Sequence, residues 1–243
     1  MWTELTGEQI GQKRMRFFER LKAAASAEWR VYTEHPFTNG MADGLLAEAA
    51  FRHYLVQDYL FLIEFARAHA LAVYKAPKLA DMREAAAGLS AILDVEMNLH
   101  VKLCAGRGLS PHDLERARPA VEMLAYTRYV LDTGMRGDLL ALQVALAPCV
   151  IGYAEIAARL AARPEALAET NPYRGWIAEY AGAPYQAVAA KARAHLERLA
   201  DSYSTPAREA ELIATFKEAT RLEIEFWEMG WRAGQCRAGQ CGE

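Results

Sequence analysis

The chain runs to 243 residues, 53% hydrophobic and 24% charged, which is enough apolar material to bury one sizeable core and too much for a disordered protein. Its 28 Lys and Arg against 31 Asp and Glu leave a net charge of −3, with no surplus of cations to neutralise phosphates, so nucleic acid is not an expected partner. The N-terminal MWTELTGEQIGQKRMRFFER shows no basic stretch leading into an apolar run and cleavage site. No apolar stretch is expected to reach the roughly 18 residues that cross a bilayer, so the reading is a cytoplasmic protein with no membrane partner.

Apolar residues recur at helical spacing through most of the chain, and no β-branched run alternates with polar residues between turn signals. The expected fold is therefore all-α, one helical domain over 1–232 with a Gly-rich flexible tail at 233–243. In chain order, helices are expected near 9–30, 46–75, 78–105, 119–133, 136–162, 184–201 and 206–232, packed as an antiparallel bundle. His35-Pro36-Phe37-Thr38-Asn39-Gly40 closes the first helical region, Ala76-Pro77 the second and Gly106-Arg107-Gly108 the third. Ser110-Pro111 opens a helix with a cap and a first-turn proline. Arg163-Pro164 to Asn171-Pro172 and Ala181-Gly182-Ala183-Pro184 read as connections, and Ser204-Thr205-Pro206 starts the last helix. The tail repeats Arg-Ala-Gly-Gln-Cys; the spacing of Cys236 and Cys241 has no His or further Cys beside it and reads as a frayed end rather than half a metal site. Four cysteines this scattered are expected as thiols, not as a disulfide framework.

On the 46–75 helix, Asp58 is centred on a stripe of Phe51, Tyr54, Phe61, Leu62 and Phe65, all within about 60° of it on a helical wheel. A carboxylate carried into an aromatic core needs a partner, structural or substrate. Glu223 repeats the pattern among Phe216, Thr220, Phe226, Trp227 and Gly230, while Glu225 points away to solvent. A dry aromatic surrounding raises an acid's pKa, as a general acid working near neutral pH requires. On the 136–162 helix, Cys149 shares a stripe with Leu142, Ala145, Leu146, Gly152, Tyr153 and Ile156. Pro148 before it removes an amide donor and should kink the helix at the thiol, and Gly152 is expected to open space beside the sulfur. Glu96 and His100 form an i,i+4 pair that reads as a core hydrogen bond before it reads as a metal site. No histidine has a Glu three residues before it, and nucleotide-loop motifs are absent, so neither metal nor cofactor is expected.

His35-Pro36-Phe37 with Gly40 and Asp43-Gly44, Tyr54-Leu55-x-Gln57-Asp58-Tyr59-Leu60, Glu96-Met97-x-Leu99-His100, Pro148-Cys149 with Tyr153-x-Glu155, and Glu223-x-x-Phe226-Trp227 together resemble the TenA family. These are the thiaminase II, or aminopyrimidine aminohydrolase, enzymes of the haem-oxygenase-like helical fold. The resemblance runs in order from about residue 25 to 232. It implies hydrolysis of 4-amino-5-aminomethyl-2-methylpyrimidine, and in some members of thiamine, to 4-amino-5-hydroxymethyl-2-methylpyrimidine in thiamine salvage. It also implies a homotetramer. By the resemblance Cys149 matches the nucleophile of the cysteine-type branch, Asp58 the residue that binds the pyrimidine amino group and a ring nitrogen, and Glu223 the one that protonates the ring. Tyr126 and Tyr180 match tyrosines of the pocket, and Phe37 or Tyr126 is placed to stack on the ring. One position departs: where the family usually has tyrosine three residues after the aspartate, this chain has Phe61. Two other classes fit the same residues less well. One is a non-catalytic pyrimidine-binding or regulatory protein; the other is a helical oxidoreductase of haem or a quinone precursor, for which no ligand set is present.

Overall fold

The computed structural model describes residues 15–235. Within them the chain forms helices and no strands. The N-terminal helical region is two short helices, α1 (Phe17–Ala24) and α2 (Ser26–Thr33), broken at Ala25. The backbone N–H groups of Phe17 and Phe18 donate to the Glu197 carboxylate at 2.7 and 3.0 Å, a negative charge placed where the helix dipole favours it. The expected helix began at residue 9; residues 9–14, Cys236 and Cys241 lie outside the described residues.

The segment after His35 is not a plain break. Pro36 sits in the first turn of α3 (Pro36–Ala42), and the His35 ring caps it by accepting the Phe37 N–H on Nδ1 at 3.1 Å. Gly44, at φ 71°, then turns the chain into α4 (Glu48–Lys75), the longest apolar rod of the first half. The expected 78–105 helix is a continuous rod of α5 (Leu79–Ala91), a π-helical turn at Ile92–Glu96, and α6 (Met97–Ala105). A capping box between Ser110 and Asp113 starts the short α7 (Pro111–Glu115), and α8 (Val121–Arg136) follows.

Asp138 caps the next rod through the Ala141 N–H at 3.0 Å. That rod is α9 (Leu139–Ala147), a second π-helical turn at Pro148–Gly152, and α10 (Tyr153–Ala161). The proline is absorbed by widening the helix, and the Tyr32 hydroxyl donates to the Pro148 carbonyl at 3.1 Å. Contrary to expectation, Gly152 leaves no empty space beside the sulfur: a Cβ there would come within 2.4 Å of the Tyr32 ring, so glycine lets Tyr32 lie against the helix. A further correction concerns this rod. Leu139–Ala161 is long and apolar enough to cross a membrane, with a mean hydropathy of 1.8, although no such stretch was expected. It lies mostly buried inside the bundle.

A 3₁₀ turn (Pro164–Leu167) leads to α11 (Arg174–Ala181), a helix between two segments read from sequence as connections and absent from the expected helices. Then come α12 (Ala183–Tyr203) and α13 (Pro206–Gln235), which runs three residues beyond its expected end. α13 packs against α4, α8, α9 and α2, and α4 against α5 and α8. The two acid-bearing stripes of α4 and α13 thereby face each other, with the Cys149 rod beside them.

Candidate active site

Asp58 is 4% exposed and has the partners its burial demands. One turn earlier on α4, the Tyr54 hydroxyl donates to Asp58 Oδ2 at 3.1 Å, and the Trp176 indole N–H of α11 donates in turn to the Tyr54 oxygen at 3.1 Å. His100 on α6 places Nδ1 3.3 Å from the same Oδ2 and Nε2 2.7 Å from the Leu55 carbonyl. A carbonyl only accepts, so a neutral His100 carries its proton on Nε2 and turns a lone pair to the carboxyl. Burial pushes Asp58 up to about 7 and His100 down to about 4, which favours the neutral acid and imidazole sharing one proton. The core hydrogen bond expected of the Glu96 and His100 pair thus runs from His100 to Leu55 and Asp58. Neither Oδ1 of Asp58 nor the Glu96 carboxylate is drawn into it.

Glu223 is 1% exposed and accepts the Tyr126 hydroxyl on Oε1 at 2.9 Å. Burial first, and the nearby Asp58 charge second, push it up to about 8. The Tyr126 ring stacks on Phe61 at 5.4 Å and 22°, and Phe61 in turn meets Phe65 and Phe226. Phe37 is fully enclosed: it stacks on Trp227 at 5.2 Å, packs against Tyr54 at 5.5 Å, and presses on Gly230, where a Cβ would approach its ring to 2.7 Å. It forms the plate behind Trp227 and Tyr54. Tyr180 packs against Trp176 at 4.6 Å and Tyr185 at 4.7 Å.

Cys149 sits on the π-helical turn as a buried free thiol. Burial, then the charges of Glu223, Glu96 and Asp58, push its pKa well above the ordinary thiol value. All the charged groups acting on it are anionic, so the resting group is a thiol and a thiolate forms only if a neighbouring base takes the proton. Residue types marked Cys149, Asp58 and Glu223 on their separate helices but not this charge balance.

A cavity of about 500 Å³ opens between the α5–α6 rod and α12, lined at one end by His100, Val150, Tyr180 and Tyr185. Of the residues singled out in the sequence, Tyr180 and the Glu96 and His100 pair are on its wall. Asp58 and Cys149 stand one layer behind it, reached through His100 and through Val150, the residue after the thiol. At the other end Asp81, Glu84 and His195 bring possible ligand atoms within 4.8 Å of one another. The Arg198 guanidinium occupies the position of a cation there, 2.6 Å from Glu84 Oε2 and 3.1 Å from His195 Nδ1. Sequence reading missed Trp176 and the contact of His100 with Asp58, which depend on helices distant in the chain. It also missed Tyr153 as a site residue, whose ring packs against Tyr180, Trp176 and Trp227; its place one turn after Cys149 was the available signal.

Three acids, the buried Asp58 and the half-buried Glu96 at about 7 and the buried Glu223 at about 8, hold protons that the unfolded chain releases near pH 4. Their stabilisation is fully present below the unfolded values and is lost as pH rises through 7 to 8. The lowered His35, His53, His69, His100 and His195 act in the opposite sense only below their ordinary value of about 6.5, so the melting temperature is expected to fall by about 5 °C between pH 6.5 and 8.5, and Asp58→Asn should flatten the slope. A melting temperature that climbs across this window in scanning calorimetry would contradict the burial of these acids.

Comparison with known proteins places these features in a family context. The model of the TENA/THI-4/PQQC family matches residues 22–233. An aminopyrimidine aminohydrolase of Halalkalibacterium halodurans is 37% identical over 218 residues, covering 89% of this chain and 96% of that protein. A crystal structure of a TenA family transcription regulator from a Silicibacter species superposes with a TM-score of 0.83 at 43% identity, over 91% of this chain and 99% of the other. A domain with a haem-oxygenase-like fold from Shewanella denitrificans gives a TM-score of 0.70 at 12% identity, over 90% of this chain and 93% of the other, and shows the shared fold.

Proposed function

The chain belongs to the TENA/THI-4/PQQC family, and we propose that within it this protein is an aminopyrimidine hydrolase of thiamine salvage. Its reaction is 4-amino-5-aminomethyl-2-methylpyrimidine plus water to 4-amino-5-hydroxymethyl-2-methylpyrimidine plus ammonia, with thiamine as a further substrate. The observation that carries the reading is Glu223, 1% exposed and bonded by the Tyr126 hydroxyl at 2.9 Å, a burial that favours its protonated form near neutral pH.

An aminopyrimidine is a poor electrophile until a ring nitrogen takes a proton. Asp58 holds the amino group by accepting its N–H on one carboxyl oxygen and holds a ring nitrogen by donating the acid proton from the other, and the aromatic residues around Tyr126 and Tyr180 line the ring. Glu223 hands its proton to the ring; the carboxylate so formed takes the Cys149 proton as sulfur bonds to a ring carbon. The exocyclic carbon–nitrogen bond of the protonated aminomethyl group then breaks with its electron pair going to nitrogen, so that neutral ammonia leaves and an exocyclic methylene remains. Water adds to that methylene, and the sulfur departs with the ring electrons restored. Tyr126, bonded to Glu223, steadies the acid through both proton transfers. A homotetramer in the cytoplasm goes with this reading.

Ammonia release from the aminomethylpyrimidine, with the hydroxymethyl product identified by mass, is the direct test. Tight pyrimidine binding without ammonia would support the non-catalytic alternative instead. Phe61→Tyr probes the departure from the family pattern. The ring lies parallel to Tyr126 beside the acid, so a hydroxyl there enters the polar edge of the site. It is expected to raise the rate on aminomethylpyrimidine about tenfold, or about 1.4 kcal/mol; steady-state kinetics showing no gain would mean that the pocket has been reshaped around the apolar ring.

A further inference from the structure

The cavity beside the site is lined by more carboxylates than cations. Its wall holds Glu84, Glu96 and Glu179 against a single Lys191, while burial lowers His69, His100 and His195 away from their charged forms. Glu84 is paired with Arg198, and Glu179 is exposed. Glu96 differs from both. It closes the π-helical turn Ile92–Glu96, and besides burial the influences on it are two further carboxylates, Asp58 and Glu179. No hydrogen bond or ion pair reaches it among the described residues.

Glu96 lies four residues before His100 on the α5–α6 rod, both line the cavity, and His100 Nδ1 is 3.3 Å from Asp58; its charge also acts on Tyr180, Tyr185 and Cys149, so it lies at the end next to the thiol. Lys191 is six residues beyond Tyr185 on α12, about 9 Å along the axis, toward His195 at the opposite end. A half-buried carboxylate among like charges and without a partner costs free energy unless the occupant of the cavity supplies the opposite charge. The helical widening at Ile92–Glu96 is the kind of local irregularity that functional sites retain.

We propose that this cavity receives the 5-substituent that leaves the pyrimidine, and that Glu96 holds the cationic nitrogen of that substituent. The proposal rests on the hydrolase reading above. The ligand class is a protonated amine carried on the pyrimidine methylene. A volume of about 500 Å³ far exceeds the roughly 30 Å³ of a group the size of water or ammonium, so amines bearing further substituents belong to the class. Glu96 keeps the nitrogen protonated while it is bound. When the carbon–nitrogen bond breaks, the electron pair leaves with nitrogen and the product is neutral ammonia or amine, with no further proton required.

Glu96→Gln tests this with two probes that differ in substituent charge. The exchange keeps the shape and breaks no hydrogen bond, so the variant should melt no lower than the wild type. For the aminomethylpyrimidine, kcat/KM should fall about tenfold or more, chiefly through KM, while affinity for the neutral hydroxymethylpyrimidine by calorimetry stays within about twofold. Glu96→Asp, which keeps the charge, should recover part of the loss. Equal weakening toward both probes, or no weakening toward either, overturns the assignment. If the wild type binds neither pyrimidine, the hydrolase reading fails and this one with it.

Discussion

Cys149→Ser is expected to reduce ammonia release to background, a loss of about a thousandfold or more. The exchange nearly preserves volume at a site 8% exposed, so the fold should hold and the melting temperature should shift little. What changes is the nucleophile. The surrounding anions already make it hard to ionise a thiol; a hydroxyl, with its far higher intrinsic pKa, would not be ionised by a carboxyl of pKa about 8. The variant should still bind the pyrimidine, because Asp58, Tyr126 and Tyr180 are untouched. Retention of most of the rate would remove covalent catalysis by Cys149 from the scheme, whatever the binding result.

Glu223→Gln should lower kcat by about a hundredfold to ten-thousandfold, the usual contribution of a placed general acid. The amide can still accept the Tyr126 hydroxyl, so the geometry at 2.9 Å has no reason to collapse, and removing a buried ionisable group should leave the protein at least as stable. The wild-type rate should decline as pH rises above about 8, where Glu223 loses the proton it donates. The variant should lack that decline. Affinity for hydroxymethylpyrimidine should change much less than kcat, since the proton matters only as bonds are made and broken. A variant that loses affinity and rate in equal measure would make Glu223 a binding residue instead.

The long helices were legible because each carries an apolar stripe over many turns, as α4 and the 139–161 rod do. The same periodicity exposed Asp58 and Glu223 as acids out of place, and Pro148 flagged the irregularity at Cys149. Two short helices, α3 and α11, were not among the expected ones, because prolines and glycines flank them and fewer than three turns give little periodicity; Pro36 in fact starts a helix that His35 caps. The two π-helical turns leave no mark in a pattern that repeats every 3.6 residues. Most of what sets the chemistry of the site is long-range: His100 against Asp58, Trp176 against Tyr54, and the ring of carboxylates around the thiol. A helical wheel sees one helix at a time, and these contacts join helices far apart in the chain.

The rod from Leu139 to Ala161 also governs what happens when the bundle opens. Inside the fold it is the central support; outside it, a segment of mean hydropathy 1.8 has nothing to cover it but another unfolded chain. Heat or denaturant should thus lead past a reversible transition into association, with recovery on cooling that falls as protein concentration rises. Lifetime at elevated temperature then depends on how seldom α4, α8 and α13 part from this rod. Ligands that bind the native bundle should prolong that lifetime by making the opening rarer.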